Sequence, residues 1–175
     1  MGMEAGLDTG PVYAKKSIEI TNQNTLELHN QLSEISAKLL NTELINYLNG
    51  HLKAEAQDNQ KATHAKKLTK SEEALNWKMT ALDLYQKIRA FSPAPGLYTD
   101  IKNKKIKIID AQVESSKNQG EYDPGEVIMV DKHSLIIATG SGSINIKLVK
   151  PAGKQVMSIN SFLSGFKINS GDCFE

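Results

Sequence analysis

The side chains most able to do chemistry in this chain are its lysines. Between His51 and Asp110 eleven lysines and Arg89 stand against seven carboxylates. Lys66, Lys67 and Lys70 flank a threonine, and Lys102, Lys104, Lys105 and Lys107 crowd one predicted hairpin. Lys147, Lys150 and Lys154 fall near its expected neighbours. Cations grouped on one face suit the phosphates of a folded RNA, where they position the backbone without reading sequence. The plainer reading is a solvated surface, and the spacing does not choose between the two. Tyr98 is the one aromatic near the hairpin, which favours duplex-backbone contact over the stacking of single-stranded bases.

A second candidate is Asp8, set in Gly6-Leu7-Asp8-Thr9-Gly10. A carboxylate between glycines stands exposed in a turn, where it can orient a histidine or hold water. The simpler alternative is a turn aspartate bonded to its own backbone. The histidines (His29, His51, His64 and His133) form no HxH, HxxxH or HExxH pattern, so no metal site is expected. No Ser–His–Asp set follows from order or spacing. Gly140-Ser141-Gly142-Ser143 lies between two strand-like runs and reads as a hairpin turn rather than a phosphate cradle. The single cysteine, Cys173, excludes an intrachain disulfide and a CxxC metal site.

Composition sets the outer bounds. The 175 residues carry a formal net charge of +1, with 39% hydrophobic and 23% charged residues. That is the balance of a soluble globular chain, with no global field to attract nucleic acid. No run approaches the length of a membrane span. Met1–Gly10 has neither the basic start nor the apolar core of a signal peptide. The opening, MGMEAGLDTGPVYAKK, reads as the interior of a longer domain.

Several elements must position these groups. Thr69 and Glu72 have the spacing of a capping box and predict the entry to an amphipathic helix. Its apolar face is Ala81, Leu84, Tyr85, Ile88 and Phe91. Pro93 and Pro95 forbid further helix, and Gly96 supplies a turn. Upstream, Val12–Ile20 reads as a strand. A helix follows from about Asn24 to Asn49, capped by Asn24 or Thr25 and closed by Gly50. Its stripe of Leu28, Leu32, Ile35 and Leu39 has no sheet in the sequence to cover it and is expected to be exposed. Downstream, a hairpin turns at Asn103-Lys104, with Ile106 and Ile108 inward and Lys105 and Lys107 outward. Three further strands follow, then a short helix over Ser158–Leu163 capped by Ser158. The expected class is α+β. Residues 1–50 are a strand–helix remnant of a Rossmann-like domain, residues 51–68 a linker, and residues 69–175 a small closed OB-like β-barrel.

The segments KATHAKKLTKSEEALNW, IRAFSPAPGLYT, IATGSGS and LVKPAGKQVMS resemble, in order, the C-terminal half of methionyl-tRNA formyltransferases. GLDTGPVY resembles the end of that family's catalytic domain. The most specific signal is PAGK followed by Met157 and Ser158, combined with Ile88-Arg89-Ala90-Phe91 and its prolines. The chain departs from the family pattern at Ser92 and Ala94 (usually Asn and Trp), Ser141 (usually Asp), His64 (often Tyr) and Gln155 (often a second Lys). These departures touch packing and RNA contacts rather than chemistry.

The resemblance implies transfer of a formyl group from 10-formyltetrahydrofolate to the amino group of initiator methionyl-tRNA, in the cytoplasm. It implies that Asp8 is the aspartate of an Asn–His–Asp set, orienting and charge-balancing the histidine, while the OB-like domain holds the tRNA. The asparagine, the histidine and most of the folate pocket belong before Met1, so the chain by itself is expected not to formylate. The tRNA-binding candidates are Lys66, Lys67, Lys70, Arg89, Lys102, Lys104, Lys105, Lys107, Lys147, Lys150 and Lys154. Two alternatives stand beside this: a non-catalytic tRNA-binding module, or another folate-dependent formyltransferase, for which PAGK with Met157 and Ser158 is not expected. The family is expected to be monomeric, and this chain to self-associate through its uncovered helix.

Overall fold

The structure, a computed structural model, describes residues 1–114 and 121–175. The chain divides into two compact units, Met1–Lys67 and Leu68–Glu175.

The first unit is built on one helix, α1 (Thr25–Leu48). Asn24 caps it: its side chain accepts from Glu27 N–H, and the Glu27 carboxylate accepts from Asn24 N–H, a reciprocal capping box. At the other end Gly50 N–H donates to the Tyr47 carbonyl and His51 N–H to the Asn46 carbonyl. Gly50 takes the left-handed conformation (φ 71°) that this closing motif needs. No residue of α1 is fully buried; Leu28, Ile35 and Leu39 are half-buried and Leu32 is exposed. The strand expected over Val12–Ile20 does not form. Val12 makes one antiparallel bridge, to Glu55, and the ladder stops there. A strand needs a neighbour along its length, and the described residues supply Val12 with a single partner.

The second unit opens with a short 3-10 turn, Lys70–Glu73. The predicted capping interaction between Thr69 and Glu72 is present, with the Glu72 carboxylate accepting from Thr69 N–H and Oγ–H. It caps this turn rather than the long helix. Between turn and helix the chain is extended, because Leu75 and Trp77 are drawn into the core: Leu75 N–H donates to the Tyr98 carbonyl, and Trp77 Nε1–H to Thr99 Oγ1 at 3.0 Å. Helix α2 (Ala81–Phe91) starts later, capped by Thr80, whose hydroxyl accepts from Asp83 N–H. The predicted face is the buried one: Ala81, Leu84, Ile88 and Phe91 pack inward, with Tyr85 half-buried. Ser92, where the family pattern has asparagine, is buried and donates to the Ile109 carbonyl at 2.6 Å.

Six antiparallel strands form one sheet: β1 (Leu97–Ile101), β2 (Lys104–Glu114), β3 (Val127–Val130), β4 (Leu135–Ala138), β5 (Ser143–Pro151) and β6 (Met157–Ser158). Their order is β1-β2-β5-β4-β3, with β6 on β5. Hairpin β1–β2 turns at Lys102-Asn103, one residue earlier than expected, with both residues left-handed (φ 48° and 61°) as a two-residue hairpin demands. Ile106 and Ile108 are buried while Lys105 is exposed and Lys107 half-buried, as the alternation predicts. Between β4 and β5, Thr139 N–H bonds the Gly142 carbonyl, so the glycine-serine run is a hairpin turn. Helix α3 (Ile159–Gly165) is capped by Ser158.

The expected closed barrel is not formed by strand pairing, because the outer strands β1 and β3 are short and do not pair with each other. The last residues of the chain instead bond to both. Asp100 and Glu175 exchange both backbone hydrogen bonds, Phe174 N–H donates to the Gly125 carbonyl, and Val127 N–H to the Asp172 carbonyl. Phe174 is buried against Trp77, ring centroids 5.6 Å apart. The core joins α2, the inner sheet face, Ile159, Phe162 and Phe174.

Candidate nucleic-acid interface

The sheet register puts the basic residues into rows. Tyr98 pairs with Lys107 and Lys107 with Lys150, so these three side chains lie abreast on one face of β1, β2 and β5. In the next row Lys105 stands opposite Asp100, their charged groups 3.9 Å apart, with its ammonium 4.3 Å from the Tyr98 ring centroid. Lys107 is held from two sides, donating to the Pro95 carbonyl and lying 3.7 Å from the Glu73 carboxylate.

Two adjoining grooves flank these lysines. One, of about 290 Å³, runs between the Pro93–Pro95 loop and Lys105, Lys107 and Lys150. The other, of about 530 Å³, is rimmed by Lys104, Lys105 and Lys154 and walled by Met157, Phe162 and Phe166. They share Lys105, Pro151 and Ala152, and no carboxylate lines either. Lys104 rests on the Phe166 ring, 4.5 Å from its centroid. Phe166 was invisible to local reading because it lies some sixty residues beyond the hairpin; the one signal was its helical spacing from Phe162.

The remaining candidates lie elsewhere. Lys66 and Lys67 belong to the first unit, and Lys70 is exposed on the 3-10 turn. Arg89 is on α2, stacked on Tyr85 at 5.0 Å. Lys147 falls at the β2–β5 irregularity, where Asp110 opposes Leu148 and Ala111 opposes Ile146, and so drops out of the register. Lys102 is structural: it pairs with Asp172 at 2.5 Å and donates to the Lys167 carbonyl. The Lys102 bond, with help from Asn169 N–H, holds the Asp172 carboxyl below its usual range. Two bonds from Thr69 do the same for Glu72.

Asp8 is exposed and left-handed (φ 55°). Gln57 fixes its loop by donating to the Asp8 and Gly10 carbonyls, each at 2.7 Å. The cleft beside it, about 890 Å³, has polar and small walls including Lys15, Glu55, Asp58 and His64. Among the described residues no cluster of histidine, cysteine and carboxylates could hold a metal ion. No helix among them is long and apolar enough to cross a membrane.

A short antiparallel sheet, a helix packed across it and a lysine-rimmed outer face define a small α+β domain. The family model described as "Formyl transferase, C-terminal domain" matches residues 67–167, and the chain belongs to that family. Along its length it is similar to methionyl-tRNA formyltransferases. That of Listeria innocua is 37% identical over 94% of this chain and 53% of the relative, and that of Carboxydothermus hydrogenoformans is 38% identical over 100% and 56%. The chain spans about half the length of the curated relatives it matches. Solved structures share the fold: HypX from Aquifex aeolicus (TM-score 0.69, 19% identity, 95% of this chain and 30% of that one), and WlaRD, a sugar 3N-formyl transferase (0.60, 20%, 87% and 53%).

Proposed function

We propose that this chain supplies the RNA-holding part of methionyl-tRNA formylation, and that Lys104, Lys105, Lys107, Lys150 and Lys154 contact the phosphates of initiator methionyl-tRNA. The observation that carries this is the pair of adjoining grooves, rimmed by five lysines with no carboxylate in the lining; Asp100 and Glu73 partly offset Lys105 and Lys107, while Lys104, Lys150 and Lys154 form no ion pair among the described residues. Lys66, Lys67, Lys70, Arg89 and Lys147 add longer-range attraction at most; Lys102 is spent on Asp172. On this reading residues 69–175 are an OB-like module whose sheet is completed by the C-terminal segment. Residues 1–50 belong to a Rossmann-like formyltransferase domain, 51–68 link the two, and the protein works in the cytoplasm.

A folate-type formyl donor, 10-formyltetrahydrofolate, goes with the family. The described residues around Asp8 do not fit it: apart from the His64 imidazole the cleft has no aromatic side chain, so no large flat face meets a pteridine ring, and its two lysines, Lys15 and Lys61, are already paired with Glu55 and Asp58 rather than open to an acidic donor. Asp8 retains the role of orienting a histidine; His64 lines the same cleft but makes no hydrogen bond to Asp8 among the described residues. The 175 residues alone bind tRNA without formylating it, which makes the non-catalytic binding module the second reading of the same interface.

The test is direct titration of initiator methionyl-tRNA, with a formylation assay alongside. Affinity should fall steeply with added salt as phosphate counterions are released, and no formylated product should accumulate. Failure to bind at low salt overturns the proposal; turnover overturns the non-catalytic part.

A further inference from the structure

We propose that the groove between hairpin β1–β2 and α3 takes one unpaired nucleotide of the bound RNA, its base against Phe166 and Met157 and its phosphate on Lys104. This rests on the RNA reading above and goes beyond it, since backbone contact alone needs no apolar floor. The groove holds about 530 Å³, within the roughly 300–1,000 Å³ of small-ligand sites. Its floor is apolar and partly aromatic, from Met157, Phe162 and Phe166, while its rim carries three lysines and no carboxylate. Asn103 and Ser161 place polar groups on the wall. An apolar floor with a cationic rim is complementary to a flat base joined to a phosphate. The neighbouring groove has lysines but prolines in place of aromatics, and so suits backbone alone. Because the two share Lys105, Pro151 and Ala152, one strand can cross both.

The arrangement also supplies a release step. Lys104 covers the Phe166 ring at 4.5 Å. An exposed cation–π contact is weaker than a charge-assisted hydrogen bond to phosphate, so an arriving phosphate draws the ammonium away and uncovers the ring.

The test uses the full chain and two RNAs of one sequence, a blunt duplex and the same duplex with a single-stranded 3′ end carrying 2-aminopurine. The expected result is tighter binding of the tailed RNA with quenching of the fluorophore. Phe166→Leu, which keeps apolar volume over Phe162, should remove the quenching and about tenfold of the tailed-RNA affinity while leaving the duplex unchanged. Lys104→Gln should reduce the preference without abolishing quenching. Equal affinity for both RNAs with no quenching by the parent chain overturns this inference and leaves the RNA reading standing. Absence of binding by either RNA at low salt removes both. Displacement of the tailed RNA by an acidic peptide of equal charge, at equal concentration, assigns the groove to charge alone and also overturns it.

Discussion

Lys107 and Lys150 are direct partners across the β2–β5 ladder, two cations on one face of the sheet. Like charges placed opposite one another destabilise a sheet. Glu73 and the Pro95 carbonyl relieve Lys107, whereas Lys150 forms no ion pair among the described residues. Lys150→Gln should therefore leave the melting temperature unchanged or raise stability by up to about 1 kcal/mol. It should weaken tRNA binding, and the slope of log affinity against log salt should become shallower by about one. A lowered melting temperature with unchanged binding would reverse this assignment.

The Lys102–Asp172 pair has a pH signature. The folded carboxyl titrates below its ordinary 3.8 because Lys102, and then Asn169 N–H, stabilise the charged form. A lowered folded value stabilises the fold above 3.8, and that contribution fades as the pH falls through the folded value. Asp172→Asn should thus melt below the parent at pH 6, with the gap closing under about pH 4. The pair is partly exposed, so the gap should be small and shrink in high salt.

Gly140 is required by its surroundings. A Cβ there would lie 2.0 Å from the Lys78 carbonyl oxygen, and its N–H is shared between the Trp77 and Met79 carbonyls. Gly140→Ala should cost about 2 kcal/mol or more by calorimetry, through forced backbone movement. Gly153→Ala meets nothing within 4 Å and should cost about 1–2 kcal/mol, from its left-handed backbone alone.

On α2, Ile88→Ala should destabilise by about 2–5 kcal/mol in denaturant titration, since Ile88 lies in the core. Leu82→Ala, on the solvent side of the same helix, should change stability by no more than about 0.5 kcal/mol.

In the first unit Leu40, Leu44, Ile45 and Leu48 stand exposed along α1. Sedimentation should show association that grows with concentration, and Leu40→Gln with Leu44→Gln should disperse it. A monomer at all concentrations would remove a second copy as the partner of this face.

What could be read from the residues alone was whatever depends on near neighbours. The α2 face, the alternation around Ile106 and the caps at Asn24 and Ser158 are each set within one or two turns of chain. Thr69 and Glu72 also met as read, but Leu75 and Trp77, at strand spacing, pull the next residues straight before a helix can start. Thr80 with Asp83 held the true start of α2. Contacts set by distant segments were not legible. Lys102 looked like its neighbours until Asp172 arrived from the far end, and the aromatic wall of the larger groove came from Phe166 rather than from the hairpin.

The segment Gly171–Glu175 is stitched to both margins of the sheet, to Asp100 on one side and to Gly125 and Val127 on the other. Clipping the chain after Ser170 would bare both margins at once, along with the apolar seat of Phe174. Unpaired strand margins recruit other strands. A clipped preparation should consequently precipitate as sheet-rich aggregate instead of surviving as a loosened monomer, and carboxypeptidase sensitivity becomes a gauge of how firmly the sheet is held shut.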